Sequence, residues 1–268
     1  MTSAYCEKNI PMNILEIQKV PASHGWLWIK HGYRLIMRNP LQSISAVMVF
    51  ALGIFIPALL PVLGVLFAII LMPVWMAGFM RVCRSLEYSE KIESRFILAG
   101  FSSRIKQLFA VGAILFLGIQ IIAYVVIALG GDALSTILEN FKLHQDSNAL
   151  METLLAPGSG VEVSLMVGMF LFFGLMMATQ FAPMLVFFNQ MSARQAVQAS
   201  LLGTIRNIVP YMAYSLIMQV IALLVSVIPL KLGWLIMLPL GLTSMYVAYR
   251  DIFTEVVVED GAVKKVDG

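Results

Sequence analysis

The chain has 268 residues, 60% of them hydrophobic and only 12% charged, about half the charged share of an ordinary soluble domain. That balance places it in a bilayer and excludes a soluble catalytic domain, since the polar segments are too short to form one. Its net charge of +3, from 18 basic and 15 acidic residues, gives no support for nucleic acid as a partner.

The first 40 residues carry Glu7, Lys8, Glu16 and Lys19 and lack an uninterrupted apolar run, so no cleavable signal peptide is expected there. A helix is predicted over about 24–38. Trp26, Ile29, Tyr33 and Ile36 recur at helical spacing, while Lys30, Arg34 and Arg38 fall on another face. This pattern predicts an interfacial helix with its apolar side in the acyl boundary and its basic stripe toward anionic headgroups. His24 and His31 are seven apart on roughly one face, and interfacial packing accounts for them.

Residues 39–80 contain no Lys, Arg, Asp, Glu or His. As one helix they would run about 60 Å, twice the hydrocarbon thickness. The segment must fold back, and Pro57-Ala-Leu-Leu-Pro61 supplies the break. Spans are therefore predicted at about 41–60 and 62–80. A third follows at 108–129, ended by Gly130-Gly131, and a fourth at 161–188. The run from 207 to 249 is another hairpin turning at Pro229-Leu-Lys-Leu-Gly233, with spans at about 208–228 and 232–249. The predicted fold class is all-α: one domain of six transmembrane helices in three hairpins, with amphipathic interfacial helices on the cytoplasmic side and a tail over 250–268.

Sixteen of the 18 basic residues, all but Lys142 and Lys231, fall on the side that holds both termini. Because Lys and Arg are retained in the cytoplasm, both termini should lie inside, in what is read as a bacterial inner membrane. Cys6 and Cys83 then sit in a reducing compartment, and a structural disulfide is not expected.

Arg38-Asn39 and Arg206-Asn207 are separated by the same 168 positions as Pro61 and Pro229, which reads as a weak internal repeat of hairpins 1–2 and 5–6. Ser192-Ala-Arg-Gln195 is a capping box for a second interfacial helix, carrying Arg194 and Arg206, with Val197, Leu201 and Ile205 at helical steps. The segment 94–107, with Arg104 and Lys106, is a third interfacial candidate.

No charged side chain lies in the middle of a predicted span, which argues against ion-coupled transport and intramembrane acid–base catalysis. The polar residues inside are Gln120, Gln180 and Gln219, with Tyr124 and Tyr214 nearby; they read as interhelical hydrogen bonding or as the lining of a narrow polar cavity. Gly174, Ala178 and Ala182, with Ser164 and Gly168, mark small-residue faces for close helix approach. In the exterior loop, Glu139, His144, Asp146 and Glu152 lack metal-ligand spacing and read as a solvated acidic surface. Nucleotide-binding, hydrolase-elbow and zinc-protease motifs are absent from the sequence. No cofactor and no metal are expected.

Gln195-Ala-Val-Gln-Ala-Ser200, Arg206-Asn207 and Tyr246-Val-Ala-Tyr-Arg-Asp-Ile-Phe253, with Val20-Pro-Ala-Ser-His-Gly-Trp26 and Arg38-Asn-Pro40, resemble bacterial inner-membrane proteins of the YciC-like group. They also resemble the membrane domain attached to some glycerophosphodiester phosphodiesterases. The resemblance implies a six-span helical bundle without an assigned activity.

The functional expectation is a non-enzymatic scaffold or accessory subunit. It would use Lys30, Arg34, Arg38, Arg104, Lys106, Arg194 and Arg206 to meet membrane lipids, a protein partner or a second copy. The alternative is a transporter or lipid-handling protein for a neutral or zwitterionic molecule, using a cavity at Gln120, Gln180 and Gln219.

Overall fold

The computed structural model describes residues 12–61, 63–90, 93–102, 104–142, 160–227, 233–259 and 262–265. The acidic loop residues His144, Asp146 and Glu152, the turn at Lys231, and Cys6 lie outside the described residues.

Among the described residues, five helices are long and apolar enough to cross a membrane: Pro40–Ala58 (α2), Gly64–Glu87 (α3), Ile105–Gly131, Val161–Phe188 and Ile208–Ser226 (α9). They leave large apolar side chains uncovered, among them Phe55, Leu117, Phe170 and Leu216, as expected where lipid is the solvent. The predicted sixth span is a helix, Trp234–Ile252 (α10), but it falls outside this set. Arg250 and Asp251 lie in its last turn, and its Thr243, Ser244 and Tyr246 are buried. The third predicted span continues as Ile105–Lys142 (α5), with Gly131 breaking the helix at φ 55°, ψ −148°. That conformation suits a residue without Cβ.

The chain divides into two compact units. Unit 1 comprises Met1–Val47, Val82–Ile92 and Gly203–Gly268. Here α1 (His24–Arg38) packs along α9 and α10. A methyl group at Gly25 would come within 2.5 Å of the Pro210 carbonyl oxygen, and one at Gly32 within 2.6 Å of Ser244 Oγ. The missing side chains let the backbones meet. Ile29, Ile36, Met218 and Leu240 form the core between these helices, and buried Trp28 meets Tyr214 edge to face at 6.0 Å.

This corrects the lipid-facing placement of Ile29 and Ile36 on α1. Its most apolar face is covered by its own chain, while Trp26, Tyr33 and Met37 are the apolar residues left exposed. The periodicity revealed an amphipathic helix but not what covers it.

Unit 1 also holds a three-stranded antiparallel sheet: β1 (Met12–Ile17), β2 (Phe253–Glu259) and β3 (Ala262–Lys265), with β2 in the middle. Ile14 pairs with Val256, and Val258 with Val263. The sequence expectation does not include this small addition to a helical protein, because β1 meets its partner only through long-range pairing. The run Val256-Val-Val258 was the local clue. Buried Asn207 ties this end together: its Oδ1 accepts from the Val20 N–H at 2.8 Å, and its Nδ2 donates to the carbonyls of Gln18 (2.8 Å) and Gly203 (3.0 Å).

Unit 2 comprises Met48–Arg81 and Glu93–Leu202. Its main helix pair is α5 with α6 (Val161–Thr179). Gly168 packs under Val126, whereas Gly174 has open space around it. Of the small residues singled out, Gly168 is therefore a close-approach point and Gly174 is not.

The fourth predicted span is broken before Pro183, giving α6 and a short α7 (Ala182–Phe188). The hydroxyl of Ser200, on α8 (Ala193–Arg206), sits in the gap. It accepts from the Phe181 N–H at 3.2 Å and donates to the Met177 carbonyl at 2.8 Å. Those two groups would bond each other in an unbroken helix, so the hydroxyl replaces the lost rung. The capping box forms as predicted: the Gln195 side chain accepts from the Ser192 N–H, and the Gln195 N–H reaches Ser192 Oγ.

The 94–107 candidate is not an amphipathic helix. It is a 3-10 turn, Ser94–Leu98, followed by α4 (Ala99–Ser102). Gly78 faces the Ile97 carbonyl and Gly100 faces the Val74 carbonyl, leaving no room for a Cβ at either position.

The internal repeat is visible in the helices. Pro40–Ala58 and Ile208–Ser226 are both 19 residues long and stand at the 168-residue offset. Each is preceded by an arginine whose Nη1 donates to backbone carbonyls elsewhere in unit 1: Arg38 to Leu86 and Glu87, and Arg206 to Ile17.

Candidate functional site

One face of α1 carries His24, Trp28, His31, Leu35 and Arg38 at steps of four and three, with Arg34 beside them. These side chains line a cleft of about 470 Å³ in unit 1. Val247, Arg250 and Asp251 from the end of α10 line it as well, with Glu87 from the last turn of α3. The volume falls within the range of small-molecule sites.

Two carboxylates organise the cleft. Asp251 Oδ2 accepts from Trp28 Nε1 at 2.7 Å and lies 2.6 Å from His24 Nδ1. The two α1 residues are one helical turn apart, so a single carboxylate registers α1 against α10. Glu87 Oε2 accepts from the Tyr246 hydroxyl at 2.8 Å, and Oε1 pairs with Arg250 Nη1. Burial disfavours the charge on Arg250, and the Glu87 carboxylate compensates it. Arg38 Nη1 donates to the carbonyls of Leu86 (3.1 Å) and Glu87, which are orphan acceptors at the end of α3.

Three arginines and two histidines thus face two carboxylates that already have partners. The cleft is net positive, and a concave wall concentrates that field. The arrangement suits a bound anion, and the cleft lining includes no serine, threonine or cysteine to act as a nucleophile.

Of the basic residues predicted from sequence, only Arg34 and Arg38 line this cleft. Lys30 is exposed on another side of α1, and Arg206 is exposed and bonded to Ile17. In unit 2, Arg194 and Lys106 are exposed, and Arg104 Nε donates to Gln190 Oε1 at 2.8 Å. The predicted polar residues do not line the cleft either. Gln120, Gln219 and Tyr124 are exposed, Gln180 is half-buried at the break after α6, and Tyr214 OH reaches the Gly241 carbonyl at a long 3.4 Å.

Sequence reasoning missed the roles of Glu87, Tyr246, Arg250 and Asp251, and it assigned His24 and His31 to interfacial packing. The available signals were Tyr246 and Arg250 one helical turn apart, and two histidines on one face of a helix. Nothing local in the sequence links them to Glu87.

The chain is 26% identical over 217 residues to a probable inner membrane protein of Burkholderia thailandensis, covering 79% of this chain and 78% of the relative. No family model matches the chain. No solved structure matches it either. The five apolar helices mark this chain as a membrane protein in contact with lipid, in keeping with its likeness to that relative.

Proposed function

We propose that this protein is a non-enzymatic inner-membrane scaffold or accessory subunit that docks an anionic group, on a lipid or a partner, at its cytoplasmic face. The observation that carries the reading is the α1–α10 cleft, where three arginines outnumber the two carboxylates and Arg34 is left without an ion pair. The basic distribution supports the orientation, with both termini and this cleft on the cytoplasmic side. Three hairpins and six spans, α10 included, complete the proposed architecture.

Purification from native membranes in mild detergent tests this. The expected result is a retained partner, a second copy or enriched anionic lipid, diminished in Arg34→Glu. A monomer without partner and without anionic-lipid enrichment overturns it.

A second reading, transport or lipid handling of a neutral or zwitterionic molecule, is favoured by the helix break at Gln180, because interrupted helices provide polar groups for binding within a bilayer. Gln180→Leu should then abolish uptake or lipid exchange while leaving anion docking intact. Undiminished transfer removes it.

A further inference from the structure

We infer that the α1–α10 cleft is a binding site for a phosphate-ester anion, with Arg34, Arg38 and His31 as its donors. The inference rests on the docking reading above and names the chemistry of what docks. Among the described residues, neither Arg34 nor His31 has a hydrogen bond or ion pair, although both line the cleft. Arg38 spends only Nη1 on the α3 carbonyls, and those bonds fix the guanidinium plane. Its remaining N–H groups stay available for a ligand.

The two arginines stand one helical turn apart, so their guanidinium groups can each take one non-bridging oxygen of the same phosphodiester. Guanidinium donors suit this task because their planar fork matches phosphate geometry and they are weakly hydrated.

The frame around the donors is rigid. Gly25 and Gly32 seat α1 directly on the backbones of α9 and α10. The Asp251 contacts with His24 and Trp28, and the Glu87 contacts with Tyr246 and Arg250, hold the far wall. This fixes the backbone positions from which the exposed His31, Arg34 and Arg38 side chains reach a ligand, and a fixed frame lowers the entropy cost of binding. Leu27, Leu35 and Val247 supply an apolar side to the cleft, which fits an ester substituent better than a bare ion.

A phosphate ester reaches this site either as an anionic lipid headgroup or as a soluble compound. Basic pockets between membrane helices commonly hold lipid headgroups. The chemistry is shared, and the test separates the sources.

The full chain in neutral detergent is offered equal amounts of phosphatidylglycerol and phosphatidylcholine, and retained lipid is read by native mass spectrometry. Wild type should keep one phosphatidylglycerol with roughly tenfold preference. Arg34→Gln and His31→Gln should each weaken retention several-fold to about tenfold, the scale of one charge-assisted hydrogen bond. Lys19→Gln, exposed in the same unit and outside the cleft lining, should leave retention unchanged. Displacement of the lipid by inorganic phosphate, but not by chloride at equal ionic strength, assigns a soluble phosphate; persistence of the lipid assigns the headgroup. Unchanged retention in both Arg34→Gln and His31→Gln overturns the site. Equal loss in Lys19→Gln overturns it too, in favour of diffuse surface attraction, while the docking reading survives. Wild type without preference for phosphatidylglycerol or affinity for phosphate also overturns it, and copurification from native membranes then judges the docking reading separately.

Discussion

The Tyr246 hydroxyl donates to Glu87 Oε2 at 2.8 Å, joining α10 to the last turn of α3 across 159 positions of sequence. The other carboxylate oxygen pairs with Arg250, one helical turn beyond Tyr246, so a single side chain engages two successive turns of α10. Removing the carboxylate leaves both partners uncompensated, whereas removing the hydroxyl leaves the ion pair in place. Tyr246→Phe should therefore cost about 1–2 kcal/mol and Glu87→Ala about 2–4 kcal/mol. Thermal unfolding in detergent measures both, and a Glu87→Ala variant no less stable than Tyr246→Phe would contradict this account.

The glycines make a second, paired prediction. Gly32→Ala places a methyl group 2.6–2.9 Å from the Ser244 hydroxyl and backbone, and the backbone cannot swing aside. A loss of about 1–3 kcal/mol is expected, as for other overpacking. Gly174→Ala meets nothing within 4 Å and should be neutral or slightly stabilising. Equal tolerance at the two positions would show that α1 does not seat on α10 as described.

Ser200 offers a test of the broken helix. Ser200→Ala removes the buried hydroxyl that accepts from the Phe181 N–H and donates to the Met177 carbonyl, which should cost about 1–3 kcal/mol. Pro183→Ala restores the backbone donor that proline lacks and lets the helix close its own rung. The double variant should therefore be more stable than Ser200→Ala alone. If Pro183→Ala adds to the damage instead, the hydroxyl is not substituting for the missing helical bond.

Cys83 changes how the topology can be probed. It is fully buried, so an impermeant maleimide will not label it from either side of the membrane, and its silence carries no information about orientation. An introduced thiol at exposed Lys106 does. Lys106→Cys should stay unlabelled in intact cells and react rapidly once they are permeabilised. Rapid labelling in intact cells would reverse the proposed orientation.

Much of the helical framework was legible in the sequence because its causes are local. The proline-marked turn at 57–61, the capping box at Ser192–Gln195 and the uncharged runs each act through neighbouring residues, and the helices appear where these signals placed them. Helix ends were less legible. The end of α3 was set at the first charge, Arg81, yet the helix continues to Glu87, since Arg81 rests over the Phe96 ring and stays compatible with helical backbone. The candidate site was half legible: Arg34 and Arg38 were chosen for their spacing on α1, but their partners across the cleft were not.

By itself the sequence determined a membrane chain of long apolar helices, because hydropathy acts through composition and short spacing. Only the tertiary structure decided that α1 lies against α9 and α10, that segments near both ends of the sequence share a sheet, and that Arg34 and Arg38 line a cleft. Each of those depends on contacts over 150 residues or more, such as His24 with Asp251 and Ile14 with Val256. The pattern of one helix marks a face for burial, but which surface covers it is settled by the rest of the fold.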